Sequence, residues 1–257
     1  MNNINNLVAG KGDKRLLSIY YTAGYPTLDS TLDIAEALES AGVDFLEIGF
    51  PYSDPVADGP IIQHSSEVAL RNGMTLHVLF EQLIDLRKRV NIPVFLMGYV
   101  NPVLQYGVDN FCKSCKAVGV DGVIVPDLPM YEYEERYQNT FDENGLSNVF
   151  LVTPQTSEER IREIDALSTG FIYLLSSSAT TGKNLSVSEN TEAYFSRIRA
   201  MKLKTPVVIG FGISDHDTFI RATDHADGAI VGSAFVKLLG ETDYHGKIPS
   251  FIRQLKG

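Results

Sequence analysis

The sequence predicts a closed (β/α)8 barrel forming one domain over residues 1–257. Three observations point there. Eight short β-rich runs alternate with helical patterns from end to end. The first run continues into YYTAGYPT, without the Gly-rich fingerprint that a dinucleotide-binding doubly wound sheet carries at that turn. Finally, 257 residues, 44% of them hydrophobic and 21% charged, suit a single large core of the size such barrels have. Strands separated by helices must run parallel with right-handed crossovers, and eight units close on themselves.

In chain order, the first run spans 16–22 and leads to a helix that Gly42 ends, where a residue at positive φ is wanted. Run 44–49 (DFLEIG) follows, and after it the long loop PYSDPVADGPIIQ, 51–63, shaped by its prolines and glycine. Thr75 caps the next helix, whose Leu76, Leu79, Phe80, Leu83 and Leu86 form one apolar stripe. Run 94–99 precedes a helix over 109–118, ended by Gly119; run 121–126 precedes another, ended by Gly145. Run 148–153 leads to a helix for which Thr156 and Glu159 form a capping box. Run 171–176 gives way to a second long loop, SSSATTGKNLSVSEN, 176–190. Runs 206–211 and 228–232 complete the set, the first followed by Gly210-Phe211-Gly212-Ile213-Ser214, with Ser214 as a cap, and the second by Gly232-Ser233-Ala234.

Composition narrows the function. A net charge of −10, from 22 Lys+Arg against 32 Asp+Glu, argues against a nucleic-acid or anionic-membrane surface. No apolar run is long enough for a signal peptide or a membrane span, so the expected compartment is the cytoplasm. Cys112 and Cys115 form a CxxC, but inside a helix and without a second pair, which reads as an ordinary helix face. No Lys lies in any of the eight runs, which excludes a Schiff-base lysine on a strand; Lys183 sits in the loop after the sixth. Strand ends offer mostly Gly, Pro, Thr and Tyr, so neither a metal site nor a cofactor is expected.

A barrel builds its site from the loops at the C-terminal ends of its strands. Glu47 lies within a strand buried on both faces, so it is buried whichever way it points. Burial raises a carboxyl pKa toward neutrality and suits it to general acid/base work; the other reading is a carboxylate satisfied by hydrogen bonds in the interior. Asp54 and Asp58 in SDPVADGP are either chemical groups or helix-cap and turn residues. The glycine turns after runs seven and eight offer backbone N–H groups at helix starts, the usual barrel phosphate site, which serves an acidic protein without a lysine clamp. Together these features suggest cofactor-free proton transfer on a phosphorylated ligand.

The stretch LEIGFPYSDPVADGPIIQ, 46–63, resembles the signature of the tryptophan synthase alpha subunit family. MGYVNPVLQYG (97–107), GVIVPDLP (122–129), FIYLLSSSATTG (171–182) and GFGIS (210–214) support the resemblance in the right order over nearly the whole chain. It implies retro-aldol cleavage of indole-3-glycerol phosphate to indole and glyceraldehyde 3-phosphate. Glu47 matches the acid/base that protonates indole C3 and takes the proton of the glycerol hydroxyl. Asp58 matches the carboxylate that meets the indole N–H, staying charged in a polar loop. Tyr173 matches a residue lining the substrate site, and Tyr20, Met97 and Ile124 fall where the family places apolar contacts to indole. Gly182, Gly212, Gly232 and Ser233 match the phosphate site, and Thr181 the loop residue that closes over the substrate. Ala179 stands where the family usually has glycine. The implied partner is a pyridoxal-phosphate-dependent beta subunit in an alpha2-beta2 complex, docking on the 51–63 loop and the NPVLQYG segment. Two alternatives are a lyase that acts alone and a catalytically idle barrel that only activates a partner.

Overall fold

The computed structural model describes residues 3–175, 189–210 and 212–257. Its eight strands close into one parallel barrel in sequence order, β1 pairing with both β2 and β8. Helix α1 (Asn3–Gly10) precedes β1 (Leu16–Thr22), and α2 (Thr31–Ser40) leads to β2 (Phe45–Gly49). Then come α3 (Pro60–Arg71), α4 (Leu76–Gln82), α5 (Leu86–Arg89) and β3 (Val94–Met97). Helices α6 (Val100–Tyr106) and α7 (Val108–Val118) precede β4 (Gly122–Ile124); α8 (Met130–Glu132) and α9 (Gln138–Asn144) precede β5 (Ser147–Val152). The last units are α10 (Glu158–Leu167) and β6 (Ile172–Leu175), α11 (Glu189–Ala200) and β7 (Val207–Gly210), and α12 (His216–His225) and β8 (Gly228–Val231), followed by α13 (Ser233–Leu239) and α14 (Tyr244–Lys256). Each expected run is a strand, its ends displaced by at most two residues.

Local chemistry explains most boundaries. Thr75 accepts from Val78 N at 3.2 Å as expected, and all five residues of the apolar stripe are buried, although a 3-10 turn at Leu83–Asp85 separates α4 from α5. Gly42, Gly119 and Gly145 have φ of +90°, +85° and +69°. Two caps differ from expectation by one residue. Ser157, not Thr156 with Glu159, caps α10, accepting from Arg160 N at 3.2 Å, while Thr156 Oγ1 accepts from Thr153 N at 3.0 Å. Asp215, not Ser214, caps α12, because its carboxylate accepts from Thr218 N at 2.9 Å and Thr218 Oγ1 accepts from Asp215 N at 3.1 Å, a reciprocal box in which the Ser214 hydroxyl only donates to the Asp215 carboxylate, at 3.1 Å. Adjacent oxygens compete for the same N–H groups, and spacing alone does not choose between them. Cys112 and Cys115 are free and buried on the inner face of α7, where burial raises both thiol pKa values, the opposite of a reactive pair.

Side chains alternate across each strand and make two apolar regions. One lies between the sheet and the helices. The other fills the barrel, where Phe45, Phe95 and Phe171 meet with ring centroids 5.2–6.1 Å apart and Ile4 of α1 packs into the same cluster. The N-terminal rims of the strands are pinned by aspartates that carry no sequence signal of their own. Asp44 accepts from Leu17 N and Asp121 from Val94 N, at 2.9 and 2.8 Å, and Asp227 accepts from Val207 N at 2.9 Å, so a residue just before β2, β4 or β8 holds the neighbouring strand. Arg87 pairs with Asp121 at 2.5 Å; Lys14 and Lys256 pair with Asp44. Among the described residues no helix is long and apolar enough to cross a membrane.

Candidate active site

Glu47 shares the inward face of β2 with Phe45 and Gly49, opposite Tyr20 on β1 and Phe95 on β3. It is fully buried, one layer above the phenylalanine cluster. Neither carboxyl oxygen has a hydrogen-bond partner among the described residues, and the same is true of Ser18 Oγ. Among the described residues, then, the carboxyl lacks the set of hydrogen bonds that would mark a purely structural carboxylate. Desolvation pushes its pKa to about 8, with the nearby Ser18 hydroxyl offsetting part of the rise. At neutral pH it holds a proton that it can give away.

Asp58 lies in loop 2, the connection from β2 to α3. Asp58 N donates to Pro55 O at 3.0 Å, and Gln63 Nε2 of α3 donates to Asp58 O at 2.8 Å. Asp54 belongs to the turn itself: Ser53 Oγ donates to its carboxylate at 2.6 Å, and its carbonyl accepts from Val56 N at 2.9 Å. Asp58 is instead surrounded by three tyrosines. Tyr99 Oη donates to Asp58 Oδ2 at 3.4 Å, and the charge of Asp58 reaches Tyr20 and Tyr173 strongly enough to add to the rise that burial gives their pKa values. Asp58 is half-buried, and desolvation, partly offset by the Tyr99 bond, moves its pKa up to about 6. It is still ionised at pH 7, while Glu47 is not, so the two carboxyls keep the unlike states that acid/base division of labour requires.

Tyr20 is the register partner of Glu47 on β1, and Tyr173 of β6 is close enough to feel its charge. The Tyr20 hydroxyl lies over Gly49 and the Tyr173 hydroxyl over Gly210; a Cβ at either glycine would overlap the phenol. Glycine at these two strand ends is what admits the rings. Both phenols have pKa values raised by burial and further by the charges of Asp58 and Glu47. Met97 and Ile124 are register partners at the ends of β3 and β4 and belong to the interior cluster. Tyr20 thus brings a hydroxyl near both carboxyls, where its sequence context implied an apolar contact alone. Tyr99 escaped sequence reasoning, although it stands in the motif MGYVNPVLQYG; its only signal was its place just after a strand end.

Across the barrel mouth, Gly212 has φ +77° in the turn after β7, and Gly232 precedes α13, whose first residue is Ser233. Gly212, Gly232 and Ser233 are all partly accessible. The helix after β7 starts at His216, one residue later than a Ser214 cap implies, and Gly212 lies in the turn that leads to it. Thr181, Gly182 and Ala179 lie outside the described residues.

The sequence matches the family model described as tryptophan synthase alpha chain over residues 8–251. The tryptophan synthase alpha chains of Christiangramia forsetii and Flavobacterium psychrophilum are each 53% identical to it, over 100% and 99% of this chain and 99% and 100% of theirs. Among solved structures, one of Mycobacterium tuberculosis tryptophan synthase superposes with a TM-score of 0.89 at 30% identity, covering 99% of this chain and 97% of that one. A chain of the tryptophan synthase complex from Pyrococcus furiosus gives 0.85 at 34% identity, covering 93% and 97%.

Proposed function

The chain belongs to the tryptophan synthase alpha chain family, whose reaction is the cleavage of indole-3-glycerol phosphate, and on that premise we propose that Glu47 and Asp58 divide the chemistry between them. The observation that carries this reading is a fully buried carboxyl, neither oxygen of which has a hydrogen-bond partner among the described residues, close to Tyr20 and Tyr173, two phenols that also feel the charge of a second, ionised carboxylate. Protonated Glu47 gives its proton to indole C3, and the positive charge that develops on the ring nitrogen is met by Asp58. Glu47, now a carboxylate, takes the proton of the glycerol hydroxyl next to the bond that breaks. The O–H electrons form the carbonyl of glyceraldehyde 3-phosphate, and the C–C electrons restore the aromatic indole. No step consumes a cofactor.

Met97, Ile124 and the rings of Tyr20 and Tyr173 enclose the indole in this scheme. The phosphate rests on backbone N–H groups around Gly212, Gly232 and Ser233, with Gly182 joining them and Thr181 closing the site. Support for the phosphate site is the position of Gly212 and Gly232 after β7 and β8. The partner is the family's beta subunit, in an alpha2-beta2 complex. Loop 2 and α6 bound a groove of about 510 Å³ lined by Tyr52, Ser53, Asn101, Pro102 and Tyr106, which suits the docking face. We read residues 1–257 as one domain, since α1 packs into the barrel interior and α14 packs on α2, α12 and α13. The proposed compartment is the cytoplasm, on the strength of the biosynthetic reaction.

The test is indole release from indole-3-glycerol phosphate, with and without added beta subunit. Glu47→Gln and Asp58→Asn should each lose at least about a hundredfold in kcat with the fold retained. Full turnover by either variant removes that residue from the mechanism. A wild-type chain as fast alone as with the beta subunit favours the lyase that acts alone.

A further inference from the structure

Loop 2 reaches far from the barrel: Val56 at its tip is 81% exposed. Among the described residues, the hydrogen bonds of residues 53–58 run within the loop, to Gln63 of the helix it feeds, or to Tyr99. Among those residues, Tyr99 is thus the one hydrogen-bonded tie from this part of the loop to another barrel unit. Its hydroxyl accepts from Ala57 N at 3.0 Å and donates to Asp58 Oδ2 at 3.4 Å, and its ring packs on Tyr52 at the loop's start, centroids 5.1 Å apart. One phenol therefore grips loop 2 near both ends. Tyr99 is itself held, because it caps α6, whose first N–H, that of Val100, donates to Asp127 Oδ1 at 2.9 Å.

We propose that Tyr99 is a positioning residue for the cleavage reaction: its hydroxyl, fixed by the end of β3 and by α6, aims the Asp58 carboxylate at the place the indole nitrogen takes. The inference rests on the proposed role of Asp58 as the carboxylate that meets that nitrogen. A carboxylate on an untethered loop samples many orientations, and the stabilisation it gives to charge developing on the ring nitrogen depends on being aimed before the charge appears. The bonding order of the hydroxyl fits the task. The Ala57 N–H occupies a lone pair, so the phenol proton is directed to Asp58. The other titratable groups facing this pair are Tyr20 on β1, Glu47 on β2 and Tyr173 on β6, around Asp58, and Asp127 after β4, beside Tyr99.

Tyr99→Phe removes the hydroxyl and keeps the ring on Tyr52, so the protein folds with its thermal midpoint little changed. With the beta subunit present, the variant should lose about tenfold in kcat, with KM moving less, because the aimed charge matters most in the transition state. The acid limb of the kcat/KM profile should move up by roughly half a pH unit, since the ionised carboxylate has lost a donor. A merely structural tyrosine would leave that limb in place. A wild-type kcat, or a loss uniform at every pH with an unmoved limb, overturns the proposal. Asp58→Asn measured in parallel separates the two failures: full activity there removes Asp58 from the mechanism and this role of Tyr99 with it, whereas an inactive Asp58→Asn beside an unaffected Tyr99→Phe leaves Asp58 standing and overturns the positioning role alone.

Discussion

Replacing Glu47 by glutamine should abolish activity and yet make the protein progressively more stable than wild type as the pH rises. The wild-type carboxyl titrates at about 8 when folded, against 4.5 in the unfolded chain, because the folded site is fully buried and neither oxygen has a partner among the described residues. Below pH 4.5 both states hold the proton and Glu47 contributes nothing to the pH dependence. Between 4.5 and about 8 the unfolded chain ionises freely while the folded protein does not, so stability falls by about 1.4 kcal/mol per pH unit from this group. The loss reaches about 3 kcal/mol at pH 7 and levels off near 5 kcal/mol above pH 8. The glutamine of the variant cannot titrate; its amide carries a burial cost of its own, but that cost is the same at every pH. Urea unfolding of both proteins at pH 5, 7 and 9 therefore gives a difference curve free of the histidines and other groups common to both. The stability of Glu47→Gln relative to wild type should rise by about 2.5 kcal/mol from pH 5 to pH 7, within a factor of two, and rise little further beyond pH 8. A difference flat within about 0.5 kcal/mol would mean that Glu47 ionises in the folded protein as easily as in water, and the acid assignment would fall with it.

The same pair of carboxyls predicts a bell-shaped kcat/KM for indole release, its acid limb near pH 6 from Asp58, which must be ionised, and its basic limb near pH 8 from Glu47, which must be protonated; a profile rising steadily through pH 9 contradicts both roles. At the opposite rim, Asp121→Ala leaves Val94 N and the Arg87 guanidinium without their carboxylate. Thermal or urea unfolding should show a loss of about 3 kcal/mol with kcat kept in the surviving folded protein, because the pair lies at the end of the barrel away from the strand ends that carry the chemistry.

Much of this protein is legible along the chain. Strand existence and order depend on local period and punctuation, so the eight runs and the glycines that close α2, α7 and α9 can be read without a structure. Burial of Glu47 follows from its place in a strand covered on both faces. Where local reading fails, at Ser157 and Asp215, the neighbouring oxygen one residue away wins the same donors through side-chain geometry. The tertiary structure decided what distance in sequence conceals. Tyr99 meets Ala57 and Asp58 across 42 and 41 positions, and Tyr20 and Tyr173 cover glycines on strands other than their own. Asp58 is partly desolvated, which raises its pKa, and the rise is moderated by a tyrosine from another barrel unit. A residue's period places it on a face, but only the register of a closed barrel fixes which strand ends stand together. The electrostatic environment of a carboxylate is the sum over those non-local neighbours, so its chemistry becomes readable when the barrel closes.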